Sequence, residues 1–143
     1  IAVLGFFEDN DIQFESLEGS LPGYRAIDRR ITLFCGDFFA FQEEAFDAHY
    51  DRGALVALSA ELRTRYARHT QSLLAPAAKQ LVITVEYDQD VCAGPPFSIG
   101  PDELLGHWPR LRRHVVVDDT ANAPPKFLEA GLYEMHEVVW VTS

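Results

Sequence analysis

Basic residues are scarce in this chain. Twelve Lys and Arg stand against 22 Asp and Glu among 143 residues, a formal net charge of -10. An acidic surface repels phosphate backbones, so nucleic acid is not expected as the main partner. Long apolar runs are missing as well. No stretch approaches the roughly 20 residues that a membrane-spanning helix needs, so no membrane partner is expected. No basic segment leads into an apolar stretch with a small-residue cleavage site, and secretion is not indicated. Cysteine is limited to Cys35 and Cys92, far apart and without zinc spacing, which suits a reducing cytoplasm better than a disulfide scaffold. The histidines His49, His69, His107, His114 and His136 lack an H-x-x-x-H spacing, so no metal is expected. A Gly-rich phosphate loop and the G-x-S-x-G of an α/β-hydrolase are also absent.

What remains is 48% apolar and 24% charged, the composition of one folded domain with a real core. Segments of helical and strand period alternate, as in an α/β sandwich. Ile1, Leu4 and Phe7 share one side of a short helix, whereas residues 12–30, with Gly19, Pro22 and Gly23, read as an irregular excursion. Strands are expected at 31–35 and 46–50. Ser59 is placed to cap a helix carrying Leu62, Tyr66, Leu73 and Leu74 as its apolar stripe. Gln80–Glu86 is the strongest strand, and Val82, Ile83 and Val85 predict helices on both of its faces. A loop around Gly94-Pro95-Pro96-Phe97 follows. Pro101 opens a short helix to about Trp108, and strands at 114–118 and 133–141 close the pattern. The last of these alternates Met135, Glu137 and Val139 against His136, Val138 and Trp140.

Two strand ends carry chemistry. Asp51-Arg52-Gly53 follows the strand at 46–50, and ligands of open α/β sheets bind beyond such carboxyl ends. Arg52 offers a fork of donors for a carboxylate; the alternative is an Asp51–Arg52 pair that braces a turn. Cys35-Gly36-Asp37 ends the strand at 31–35, where Asp37 can accept from an exocyclic amine and Phe38 or Phe39 can flank a flat ring. A simple strand-ending turn is the alternative there. Arg110, Arg112 and Arg113 read as solvated surface, and Cys92 as a thiol without a catalytic partner.

Tyr50-Asp-Arg-Gly-Ala-Leu-Val-Ala-Leu58 resembles the signature stretch of the thiopurine S-methyltransferase family. Thr84-Val-Glu-Tyr-Asp88 and Gly94-Pro-Pro-Phe97 follow at the proper distances. Upstream, Phe6-Phe7-Glu8 and Leu33-Phe-Cys-Gly-Asp-Phe-Phe39 resemble the helix and the adenine-side strand end of that family. Downstream, Lys126-Phe-Leu-Glu-Ala-Gly-Leu132 resembles the closing hairpin of its bacterial members. The likeness runs through the whole chain in one order.

The resemblance implies a Rossmann-like, S-adenosylmethionine-dependent methyltransferase fold. It also implies truncation at the N-terminus, because the family's first two strands and cofactor-covering segment would precede Ile1. Residues 1–143 would then be the C-terminal two-thirds of a single methyltransferase domain. The first strand would belong between the strands at 31–35 and 46–50, whose edges would otherwise lie open. The implied cofactor is S-adenosyl-L-methionine, and the implied reaction is methylation of thiopurines or related aromatic thiols. Asp37 and Phe38 would hold the adenine, and Arg52 would serve the methionine end, the acceptor and the reaction. Pro95, Pro96 and Phe97 would wall the acceptor pocket, with Lys126 as a second basic position and Asp51 as a support. The expected partner is a small-molecule thiol, and a monomer is expected for the complete protein. Selenium or tellurium compounds are alternative acceptors, and a non-catalytic binding or assembly module is the alternative of another class.

Overall fold

A computed structural model describes residues 2–43 and 45–143, which fall into two units dividing between residues 43 and 44. Ile1, expected on the helix's apolar side, lies outside the described residues.

In the first unit, α1 (Ala2–Asp9) buries Phe7. The residues read as an irregular excursion form a hairpin instead. β1 (Phe14–Leu17) pairs antiparallel with β2 (Gly23–Ala26), which in turn pairs antiparallel with β3 (Thr32–Phe34). Polar residues hid these strands because only one face is covered: Glu15 and Arg25 sit opposite one another and join by a 2.8 Å ion pair on the exposed side. On the other side Phe7, Ile12 and Ala26 form a small core with Phe14, Tyr24 and Leu33 against it. β3 thus falls where a strand was expected, but its neighbour is β2.

The second unit is a mixed four-stranded sheet in the order β4-β5-β7-β6. β4 (Phe46–Arg52) runs parallel to β5 (Leu74–Tyr87), while β7 (Met135–Thr142) is antiparallel to β5 and to β6 (Leu111–Asp118). The α/β class expected from the sequence is therefore present. Between β4 and β5 lie α2 (Ala54–Ala57) and α3 (Ala60–Leu73); α4 (Pro101–His107) precedes β6 and α5 (Pro125–Glu129) precedes β7. Pro101 opens α4, as expected from its fixed φ and missing N–H.

Three local expectations change. Ser59 occupies the N-cap of α3, but its side chain makes no capping bond; its carbonyl accepts the Arg63 N–H at 2.9 Å. The inward stripe of α3 is Arg63, Tyr66, Ala67, Thr70 and Leu73, with Leu62 turned outward and Leu74 already in β5. Arg63 replaces Leu62 because its charge finds partners inside, in Glu103 and the Leu58 carbonyl. β5 also buries one face more than the other. Ala78, Gln80, Val82 and Thr84 are buried, whereas Ile83 and Val85 are half-buried and Leu81 is exposed. Trp140 and Val138 of β7 join the covered face, where the Trp140 indole donates to Thr84 Oγ1 at 3.0 Å.

Candidate active site

The end of β4 sends two adjacent charges in opposite directions. Gly53 follows at φ +120°, a conformation that L side chains rarely adopt, and lets the chain turn into α2. Asp51 points inward and is 2% exposed. Burying a carboxylate is costly unless donors surround it, and here they do. The Ala54 N–H donates at 3.0 Å, the Leu55 N–H at 3.3 Å and the Tyr66 hydroxyl at 2.9 Å. Burial, together with the charge of Asp51, pushes the Tyr66 phenol well above its ordinary pKa. Asp51 thereby ties β4, α2 and α3 together.

Arg52 points to the opposite face. Its Nη2 donates to Glu137 Oε2 of β7 at 3.1 Å, and its side chain is 61% exposed. That hydrogen bond and the Glu137 charge hold the guanidinium still more firmly in its charged form, with smaller help from Tyr50 and Asp119. The Asp51–Arg52 brace is not what braces this turn, because Asp51 does so without Arg52.

The loop after β5 is fixed from several sides. The Phe97 N–H donates to the Val56 carbonyl of α2 at 2.6 Å, and the Tyr87 hydroxyl donates to the Pro96 carbonyl at 2.6 Å. The Ile99 N–H returns to the Val85 carbonyl at 2.9 Å. The Gly94-Pro95 and Pro95-Pro96 peptides are cis. Gly94 sits at φ +82°, and a Cβ there would lie 2.6 Å from the Phe97 ring. Pro95 is exposed, while Pro96 and Phe97 are half-buried.

Beneath this loop lies Arg63, a residue the sequence did not reveal. Its carbon Cζ stands 5.7 Å from the Phe97 ring centroid. Its Nε and Nη2 fork onto Glu103 of α4 at 2.5 and 3.0 Å, and Nη1 donates to the Leu58 carbonyl at 2.8 Å. Burial pushes the Glu103 carboxyl up, but the Arg63 hydrogen bond and charge, with His107 beside them, outweigh it and hold it below its ordinary value. The partners lie 40 positions apart, and no local pattern could have paired them.

Lys126 lies on α5, with Nζ 5.2 Å from the Phe127 ring. Phe127 is buried with Cys92, Ala123, Leu132 and Met135, and packs against Tyr87 at a centroid distance of 5.1 Å. α5 is thus held against the end of β5. Cys92 is part of that packing, its Sγ 3.7 Å from the Phe127 carbonyl. Burying Met135 in this cluster also breaks the simple alternation expected of β7, where Met135, Val138 and Trp140 are the buried positions. Of the basic cluster, Arg113 bonds Glu86 at 2.7 Å and lies 5.1 Å from the Trp140 ring, while Arg110 and Arg112 donate to backbone carbonyls.

Arg52, the Pro95–Phe97 loop and Lys126 therefore collect at the end of the sheet where β4 and β5 finish. Asp37 and Phe38 belong to the first unit. Asp37 caps a short 3₁₀ turn, accepting the Phe39 N–H on Oδ1 at 3.0 Å, and Phe38 is 38% exposed. The close approach at Gly36 is to Leu21, whose Cδ2 would lie 2.6 Å from an added Cβ. Among the described residues no group of three or more His, Cys, Asp or Glu is placed to hold a metal, and no helix is long and apolar enough to cross a membrane.

This α/β arrangement is a fold also found in an S-adenosylmethionine-dependent methyltransferase. It superposes with TM-score 0.54 on an arsenic(III) S-adenosylmethionine methyltransferase from Chlamydomonas reinhardtii, at 12% identity over 75% of this chain and 42% of that one. The chain belongs to the thiopurine S-methyltransferase family, whose sequence profile matches residues 1–143. Proteins named thiopurine S-methyltransferase from Bordetella petrii and Pseudomonas aeruginosa are each 38% identical to it over 98% of its length. The chain spans 66% of the length of these relatives.

Proposed function

We propose that this chain belongs to an S-adenosylmethionine-dependent S-methyltransferase that acts in the cytoplasm on thiopurines or related aromatic thiols. The observation that carries the reading is an exposed Arg52 at the carboxyl end of β4, at the same sheet end as the Pro95–Phe97 loop and Lys126, in a member of this family.

Taken one by one, the residues proposed for the cofactor carry the groups that their roles need. A methionine-type carboxylate requires forked N–H donors, and Arg52 commits one nitrogen to Glu137, leaving others free to donate. An adenine amine requires an acceptor, and Asp37 uses Oδ1 locally, which leaves Oδ2 for that role. Phe38 adds an exposed ring for packing. When bound, S-adenosylmethionine supplies a methyl group on a cationic sulfur.

The rest of the chemistry falls to the protein. The Arg52 charge favours the acceptor thiolate over the thiol, as a nearby cation does for any ionisable sulfur. Pro95, Pro96 and Phe97 form an apolar wall that aligns a flat acceptor and excludes water from it, and alignment lowers the barrier of a single displacement. Lys126 adds a point charge without Arg's planar fork, so it attracts an anionic acceptor without orienting it. Asp51 has no proton-transfer role here, since its oxygens already accept from Ala54, Leu55 and Tyr66.

The test is methyl transfer by the complete protein from labelled S-adenosylmethionine to an aromatic thiol, beside selenite and tellurite. A methyl thioether product is expected. Methylation of the selenium or tellurium compounds alone would replace the proposed acceptor. Cofactor binding with no transfer to any acceptor would replace the enzyme with a binding module.

A further inference from the structure

We infer that Glu137 is a positioning residue for Arg52, an assignment that rests on the function proposed above. The register makes the case. Arg52 stands opposite Ile83, Ile83 opposite Val139, and Val139 opposite Val115. In the next row Val85 stands opposite Glu137, and Glu137 opposite Val117. These residues share the less covered face of the sheet, because directly paired side chains of neighbouring strands point the same way. Across the two rows the only charged side chains are Arg52 and Glu137, on a ground of Ile and Val. To reach Glu137, Arg52 must cross the whole width of β5, laying its aliphatic stem over that apolar surface and carrying its charge to the far side.

The two partners are unequally held. Glu137 rises from within a strand paired on both sides, and its side chain is 24% exposed; Arg52 is the last residue of β4, directly before the Gly53 turn, and is 61% exposed. The carboxylate is the fixed post and the guanidinium the tethered group. An exposed ion pair contributes little to stability, so folding alone gives a weak reason for a carboxylate on an Ile/Val face. Holding a planar fork in one orientation is a stronger reason. With Nη2 turned to Glu137, the remaining N–H edges face away from it and are available to a ligand. Asp119 and Tyr50 also act on Arg52 electrostatically, but Glu137 alone accepts a hydrogen bond from it among the described residues.

The experiment compares Glu137→Ala, Glu137→Gln, Arg52→Lys and the Ala/Lys double variant, in steady-state kinetics with an aromatic thiol and in thermal melts. Glu137→Ala should lower kcat/KM about tenfold with the melt little changed, and Glu137→Gln, which keeps an acceptor, should recover about half of the logarithmic loss. In the Lys background, removing Glu137 should cost less than about twofold more, because the two residues act as one unit. Additive losses, or a Glu137→Ala enzyme as active as the parent beside an impaired Arg52→Lys enzyme, would overturn the positioning role while leaving the proposed function standing. An Arg52→Lys enzyme with unchanged kinetics would overturn the assignment of Arg52 itself, and this inference with it.

Discussion

Asp51 and Arg52 are consecutive residues whose charges never meet: the carboxylate is sealed beneath the sheet by Tyr66, while the guanidinium lies on the opposite face beside Glu137. Strand geometry imposes the separation, since successive side chains point to opposite faces. Stability and chemistry are thereby divided between neighbours. Substitutions on one face should show in melts, and substitutions on the other in rates.

Tyr66→Phe removes one donor from the buried Asp51 carboxylate and leaves the ring in place. The expected result is a loss of about 1–3 kcal/mol in unfolding free energy, the scale of a buried hydrogen bond to a charged group. Denaturant titration of the two proteins measures it. Equal midpoints would mean that Asp51 is satisfied without Tyr66.

Arg52→Lys keeps the charge and loses the fork. Catalytic efficiency toward an aromatic thiol should fall roughly tenfold or more, with an unchanged melt. If favouring the thiolate is the Arg52 role, the loss should shrink as pH rises above the thiol's own pKa. A pH series of initial rates checks this, and equal rates at every pH would return Arg52 to the scaffold.

Glu103 gives the acid side of the stability profile a definite sign. Its carboxyl is held below its ordinary value in the folded protein, so its contribution is present above the unfolded-state pKa. That contribution disappears as pH falls through the lower folded-state value. Glu103→Gln should therefore cost about 1–2 kcal/mol at neutral pH, since Arg63 is buried and loses its charged partner, and should be nearly silent in strong acid. Melts from neutral pH to about pH 3 test the slope.

Gly94→Ala places a methyl group against the Phe97 ring at a left-handed backbone position. The loop must shift, and a penalty of about 1–3 kcal/mol follows from the strain. Because the displaced atoms form the proposed acceptor wall, KM for an aromatic thiol should rise more than KM for the methyl donor. A parallel rise in both would remove the loop from acceptor binding.

Asp37→Ala separates a ligand acceptor from a turn cap. As an adenine contact, its loss should weaken S-adenosylmethionine binding by about tenfold in calorimetry. Unchanged affinity would leave Asp37 with the Phe39 N–H as its whole function.

Pro101 announced α4 because a proline without an N–H fits a helix's first turn at no cost, and Gln80–Glu86 announced β5 because a β-branched run has few alternatives. The hairpin of β1 and β2 went unseen because its outward residues, Glu15 and Arg25, are polar and its covered face is narrow. The buried stripe of α3 is offset by one position from its apolar pattern, with Arg63 inside and Leu62 outside. Periodicity counts apolar residues, and Arg63 is a charged residue that Glu103 and the Leu58 carbonyl make comfortable inside.

By itself, the sequence determined the family, through an ordered series of short motifs, and the strand-then-glycine turn that puts Arg52 at a sheet end. Those features are local, set by residue type and by separations of a few positions. Only the tertiary structure decided that Asp51 faces Tyr66, that Arg63 supports Phe97, and that Arg52 faces Glu137 across 85 positions of chain. The physical reason is strand register. A shift of one residue between β5 and β7 would turn Glu137 to the opposite face of the sheet, and no motif in either strand alone records which register forms.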